Sequence, residues 1–90
     1  MAIIFADDDE FIRDIAEAML SNLSDDVFIA EDGKEAINLL NSNGGSVKLV
    51  IMDLNMPNMD GFQAVAHIRS KGNKVKCLGF SAGNLRLNRR

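Results

Sequence analysis

Three consecutive aspartates, Asp7, Asp8 and Asp9, follow the apolar run Ala2–Ala6 (AIIFA), and a fourth, Asp53, closes the run Val47–Met52 (VKLVIM). If those runs are neighbouring strands, the carboxylates of Asp7, Asp8 and Asp53 meet at one end of a sheet. Three like charges that close repel, and each resists ionising. A hard divalent cation relieves the repulsion. Oxygen ligands with several retained waters suit Mg2+ better than zinc, and with one cysteine and one histidine in the chain no Cys/His cluster exists for zinc. Capping a helix uses one aspartate, so the set exceeds what capping requires. An aspartate beside such a cation is also a nucleophile suited to phosphoryl groups, forming an acyl phosphate while the cation neutralises charge on the transferring group. Asp53 is placed for that role. Ser81 ends another apolar run, Val75–Ser81 (VKCLGFS), where its hydroxyl and nearby backbone N–H groups could donate to phosphoryl oxygens.

The elements that must position these residues alternate along the chain. The short, wholly apolar Ala2–Ala6 reads as a strand buried on both faces. Phe11, Ile12, Ile15, Ala16, Met19, Leu20 and Leu23 recur at three- and four-residue steps, an amphipathic helix with Asp8 or Asp9 suited to cap it. Val27–Ala30 is a second strand; Asp32-Gly33 turns the chain into a second helix carrying Ala36, Ile37, Leu39 and Leu40. A loop of turn formers, Asn41–Ser46, precedes the strand Val47–Met52, and a second loop, Leu54–Gly61, precedes a helix from about Phe62 to Ser70. That helix is expected to bury Phe62, Val65, Ala66 and Arg69, to leave His67 on the surface and to stop near Gly72. Cys77, in the fourth strand, reads as a small core residue, and Met56 and Met59 as loop packing. The order β-α-β-α-β-α-β with short connections means parallel strands, right-handed crossovers and helices on both faces. Ligands of such sheets sit beyond the carboxyl ends of the strands, where the aspartates lie.

Composition sets the outer limits. Ninety residues, 47% hydrophobic and 26% charged, make one globular domain. No apolar run approaches a bilayer span and no basic, apolar leader opens the chain, so the expectation is a cytoplasmic protein without membrane attachment. A lone cysteine gives no internal disulfide. Residues 1–60 carry three bases against 13 acids, net −10, whereas residues 61–90 carry seven bases and no acid, net +7. An overall charge of −3 argues against general nucleic-acid binding, and the split sets an acidic site against a basic edge or tail.

The segments ADDDEFIR (6–13), VIMDLNMPNMDG (50–61) and FSA (80–82) together resemble the receiver domain of two-component response regulators, the family of the single-domain chemotaxis regulator. The middle segment is the specific one: a strand ending in Asp, then Met-Pro, then Met-Asp-Gly eight residues after that Asp. The resemblance covers residues 1 to about 83, leaving 84–90 as a basic tail. It implies a flavodoxin-like doubly wound parallel sheet, truncated to about four strands (order 2-1-3-4) and three helices. It implies that Asp53 accepts phosphate from a sensor histidine kinase or phosphotransfer protein, and that Mg2+ is held by Asp8, Asp53, the backbone carbonyl of Asn55 and, through water, Asp7. Ser81 and the Ala82 N–H take the phosphoryl oxygens, while Pro57 and Gly61 shape the loop. Such a module is not an enzyme beyond turning over the phosphate on its own aspartate.

Two parts of the family pattern have no counterpart: the lysine after a fifth strand, since no lysine follows Lys76, and the aromatic switch residue on that strand. Arg86, Arg89 and Arg90 are the remaining late cations. A sheet of four strands leaves the fourth with an exposed edge, and Val75, Cys77, Gly79 and Phe80 partly uncovered, so self-association through that edge is expected. Two other readings are set beside the phosphoacceptor. One is a degenerate receiver acting as an oligomerisation or docking module; the other is a hydrolase of the haloacid dehalogenase type, which wants an Asp where this chain has Asn55.

Overall fold

The computed structural model describes residues 1–81. Four parallel strands, β1 (Ala2–Ala6), β2 (Asp26–Ala30), β3 (Val47–Asp53) and β4 (Lys76–Phe80), form one sheet in the order β2-β1-β3-β4. Helices α1 (Glu10–Leu20), α2 (Gly33–Asn43) and α3 (Gly61–Ser70) make the crossovers, and a short 3-10 turn, Gly44–Ser46, follows α2. Order and connectivity are those of the flavodoxin-like sheet expected from the sequence. The tail 84–90 lies outside the described residues.

β1 occupies the middle of the sheet because it alone has no polar residue, and all five of its residues are buried. Side chains alternate across a strand. Ala2, Ile4 and Ala6 therefore join Val50 and Met52 under Ala36, Ile37 and Leu40 of α2 and Ala64 and Ile68 of α3. Phe5 faces the other way, toward Ala16, Met19 and Leu20 of α1. β4 pairs only with β3 among the described strands, so its outer edge is open. Cys77 is half-buried against the core, and burial pushes its thiol up from the ordinary value.

Two expected stripes differ from those observed. α1 has no buried residue: it lies over β1 and β2, turns Ile12, Ala16 and Leu20 partly inward, and leaves Phe11, Ile15, Met19 and the following Leu23 exposed. On α3 the buried line is Gly61, Ala64 and Ile68 with Val65 half-buried; Phe62, Ala66 and Arg69 are exposed and His67 is partly exposed. The cause is close approach. Gly61 meets the backbone of Asp53 and Leu54, and such contact selects small residues, which a search for large apolar side chains passes over.

The start of α3 is fixed by a reciprocal cap. Asp60 accepts from the Gln63 N–H at 2.9 Å, while the Gln63 side chain accepts from the Asp60 N–H at 3.0 Å. Asp60→Ala removes the acceptor for one helix N–H and is expected to cost about 1 kcal/mol in urea unfolding. Gln63→Ala removes the other half of this exposed pair and should cost no more than that. Gly72, with φ of 77°, follows the helix end, a conformation open to glycine without strain.

Candidate functional site

β1 and β3 run side by side with Ala6 opposite Met52, so the chain leaves both strands at the same level and delivers Asp7 and Asp53 to one end of the sheet. Asp8 joins them. One carboxylate oxygen from each of Asp7, Asp8 and Asp53 lies within 4.8 Å of the others. Asp53 is 4% exposed and Asp7 only 1%, whereas Asp8 is open to solvent.

Asp7 is held by two backbone groups and one side chain. Its N–H donates to the Ala30 carbonyl at 3.1 Å, extending the β1–β2 ladder. Its Oδ1 accepts from the Asp9 N–H at 2.8 Å, and its carbonyl accepts from Arg13 Nη1 at 2.9 Å. The other carboxylate oxygen, Oδ2, is buried and has no hydrogen-bond partner. Burial is the main reason the Asp7 carboxyl is pushed up from 3.8 to about 6, opposed by the Asp9 N–H and reinforced by the charges of Asp53, Asp8 and Asp9. A buried polar oxygen left unpaired demands a partner. Within this all-oxygen cluster, a hard divalent cation fits that demand and lowers the mutual repulsion at the same time. Asp9 itself caps α1, accepting from the N–H groups of Phe11 and Ile12, which separates the capping aspartate from the three that cluster.

The β3 tip is tied to the β4 tip. The Asn55 N–H donates to Asp53 Oδ1 at 3.0 Å, and its side-chain amide donates to Ser81 Oγ at 3.2 Å. The Leu54 N–H donates to the Phe80 carbonyl at 2.8 Å. Asp53, Asn55 and Ser81 are thus brought together with Asp7 and Asp8. Ala82 lies outside the described residues, as do Arg86, Arg89 and Arg90.

A model of the response regulator receiver domain matches residues 3–87 of the chain. The chain belongs to this family. It is 39% identical over 71 residues to an uncharacterized transcriptional regulatory protein, YrkP, of Bacillus subtilis, an alignment covering 79% of this chain and 29% of that protein. The N-terminal domain of an uncharacterized protein from Wolinella succinogenes superposes with a TM-score of 0.83 at 27% identity, over 91% of this chain and 64% of that one. The receiver domain of the Saccharomyces cerevisiae response regulator Ssk1, solved with the histidine phosphotransfer protein Ypd1, superposes with a TM-score of 0.71 at 25% identity, over 79% of this chain and 48% of that one. This receiver therefore spans under a third of YrkP and about two thirds of the Wolinella domain.

Asn58, which the sequence did not single out, completes the receiver's loop 54–60. Asn58 adopts a φ of 66°, the left-handed region that asparagine tolerates. Its amide donates to Asp32 Oδ2 at 2.9 Å, while Asp32 Oδ1 accepts from the Glu35 N–H at 2.8 Å as the cap of α2. Those two donors, Glu35 first, hold the Asp32 carboxyl below the usual range. The Gly33 N–H donates to the Met59 carbonyl at 2.9 Å, and Met56 is buried beneath the loop. The loop that carries Asn55 is thereby fastened to the start of α2. The Pro57-Asn58 pair was the available signal, since such dipeptides mark turns, but the partner it finds is 26 residues away. Arg13 likewise gave no local sign of its bond to Asp7.

Proposed function

We propose that the chain works as a phosphoacceptor in two-component signalling, with Asp53 taking a phosphoryl group from a phosphohistidine. The observation that carries this reading is the buried, unpaired Oδ2 of Asp7 in a three-carboxylate cluster at the tip of β3. Asp8, Asp53, the Asn55 carbonyl and, through water, Asp7 would hold Mg2+; when bound, the ion neutralises negative charge on the phosphoryl oxygens. Asn55 N–H occupies Asp53 Oδ1, and Oδ2 is the oxygen that attacks. The new bond is Oδ2–P; the bond that breaks is P–N, its electron pair returning to the donor's imidazole nitrogen. Ser81 Oγ donates to a phosphoryl oxygen, with the Ala82 N–H beside it. Water later cleaves the acyl phosphate and restores the carboxylate.

The donor is a histidine kinase or a phosphotransfer protein, the latter supported by the Ssk1 receiver's complex with Ypd1. No helix among the described residues is long and apolar enough to cross a membrane. The second reading is a docking module without phosphoryl chemistry. One assay separates them. Incubated with Mg2+ and acetyl phosphate, the chain should gain one phosphoryl mass by intact mass spectrometry, and Asp53→Asn none. A parent chain that neither gains that mass nor responds to beryllium fluoride is the docking module.

A further inference from the structure

Arg13 stands among acids. Asp9 and Glu10 precede it by four and three residues, and Glu17 follows by four, the spacings at which opposite charges pair on a helix. Its guanidinium turns elsewhere. Half-buried, it reaches back past the start of α1, and Nη1 donates to the Asp7 carbonyl at 2.9 Å. That carbonyl belongs to the peptide joining Asp7 to Asp8, so the bond falls between two of the three clustered carboxylates. It also falls where regular structure lapses. The Asp7 N–H on the Ala30 carbonyl is the last rung between β1 and β2, and α1 begins at Glu10 with Asp9 as its cap. Asp8 lies in that gap, exposed. The side-chain hydrogen bonds at this corner, made by the N–H groups of Asp9, Phe11 and Ile12 and by Arg13, go to Asp7 and Asp9 and pass over the Asp8 carboxylate.

We propose that Arg13 is a positioning residue for the cation site: its bond holds the peptide between Asp7 and Asp8 in the orientation that turns the Asp8 carboxylate toward Asp7 and Asp53. The inference rests on the Mg2+ site proposed above. A peptide plane flanked by two soft dihedrals turns with little movement of the chain on either side. Asp7 is fastened at its N–H and at Oδ1, and the carbonyl bond fixes the plane that follows. The anchor is firm because Arg13 stands on α1, which packs on β1 and β2, and a guanidinium gives a charged, planar donor at the end of a long stem. Partners that orient a metal ligand in this way matter to the metal although they never touch it. Charge alone predicts the opposite effect. A fixed cation beside the site repels a divalent ion, so if repulsion were the whole influence of Arg13, removing it would tighten Mg2+ binding. Positioning predicts that removal loosens it, and the sign separates the two.

Mg2+ titration of the 90-residue chain tests this, followed by the amide resonances of Asp53 and Asn55 at a temperature where far-UV spectra show parent and variants fully folded. Arg13→Met keeps an apolar stem and a good helix former but loses charge and donor. It should raise the Mg2+ dissociation constant roughly tenfold, the low end for loss of a group that orients a ligand. Arg13→Lys keeps the charge and one donor, which is all that a single bond to a carbonyl needs, and should bind within about threefold of the parent. A Met variant that binds Mg2+ as tightly as the parent, or more tightly, overturns the inference and leaves the site standing. So does a Lys variant as weak as the Met variant, because the retained donor would then count for nothing. A parent whose resonances ignore Mg2+ overturns the site and this inference together, an outcome told apart from the others by the parent alone.

Discussion

Asp7→Asn should make the metal-free receiver more stable at pH 7.5 and remove most of its response to Mg2+. Asp7 is almost wholly buried, one of its oxygens has no partner, and burial pushes its carboxyl from 3.8 to about 6. A carboxyl raised on folding favours the folded chain when protonated. Its contribution is complete below about 3.8, falls as pH rises, and is gone above about 6. At neutral pH the metal-free protein carries that loss in full, of order 3 kcal/mol at most at about 1.4 kcal/mol per unit. Asparagine keeps an oxygen for the Asp9 N–H, buries no charge and sets an N–H donor toward the carboxylates of Asp8 and Asp53. Urea unfolding at pH 7.5 without metal should therefore show a gain of about 1–3 kcal/mol, shrinking toward zero near pH 4 as Asp7 of the parent takes up its proton. With Mg2+ the gap narrows. A cation that binds only the folded parent stabilises it by about 1.4 kcal/mol at ten times its dissociation constant, and the variant, one charge poorer, should gain little. A variant no more stable than its parent at pH 7.5 and equally responsive to Mg2+ would show that Asp7 is neither strained nor part of the ion's site.

The meeting of carboxylates was foreseeable from three aspartates after two apolar runs, although burial more than their mutual repulsion raises Asp7, and much of the site's placement was legible for the same reason. A strand that is apolar throughout announces its end sharply, so AIIFA and VKLVIM fixed where Asp7 and Asp53 leave the sheet. Parallel pairing then brought them to one level, and Ser81 followed from the run before it. What stayed hidden depends on tertiary contact. The heptad-like spacing in α1 identifies an apolar face without saying what covers it, and Phe11, Ile15 and Met19 lie in solvent although their pattern is that of a core helix. In α3 the line that meets the sheet opens on two small residues, Gly61 and Ala64, before Ile68, because the start of the helix lies too close to β3 for larger ones. The Asp32–Asn58 bond joins two loops through the fold, and nothing in either stretch of sequence specifies the other. The same bond shows why Met-Pro-Asn carries weight beyond turn formation: a left-handed residue aims its amide at the cap of the preceding helix, and the loop bearing Asn55 becomes part of the packed structure.

Gly61→Ala should be among the most damaging single-methyl changes in the chain, lowering stability by about 2–4 kcal/mol and loosening the Asp53 site with it. A Cβ at Gly61 would stand 2.6 Å from the Asp53 carbonyl oxygen and 3.2 Å from Leu54 Cα, both backbone. Neither can turn aside, so relief requires moving α3 away from β3 or displacing the peptide that links Asp53 to Leu54. Overpacking of that kind costs about 1–3 kcal/mol even where side chains share the adjustment, against a total of about 5–13 kcal/mol for a domain of this size. The comparison that makes the prediction sharp is with Gly79, where the added methyl also meets an atom at 2.6 Å, but the atom is the end of the Leu54 side chain. Leu54 can change rotamer, so Gly79→Ala should cost about 1 kcal/mol or less. Gly45, with open space around it, should be near neutral. Gly33, which faces the Met59 carbonyl oxygen at 2.6 Å, belongs with Gly61. Urea denaturation of the four alanine variants should give that ranking. Because the Gly61 clash falls on the peptide after Asp53, this variant should also lose phosphoryl uptake at temperatures where it is still folded, while Gly79→Ala retains it. Equal losses at Gly61 and Gly79 would mean that the loop yields as readily as a side chain, and that the close seating of α3 on β3 does not hold Asp53 in place.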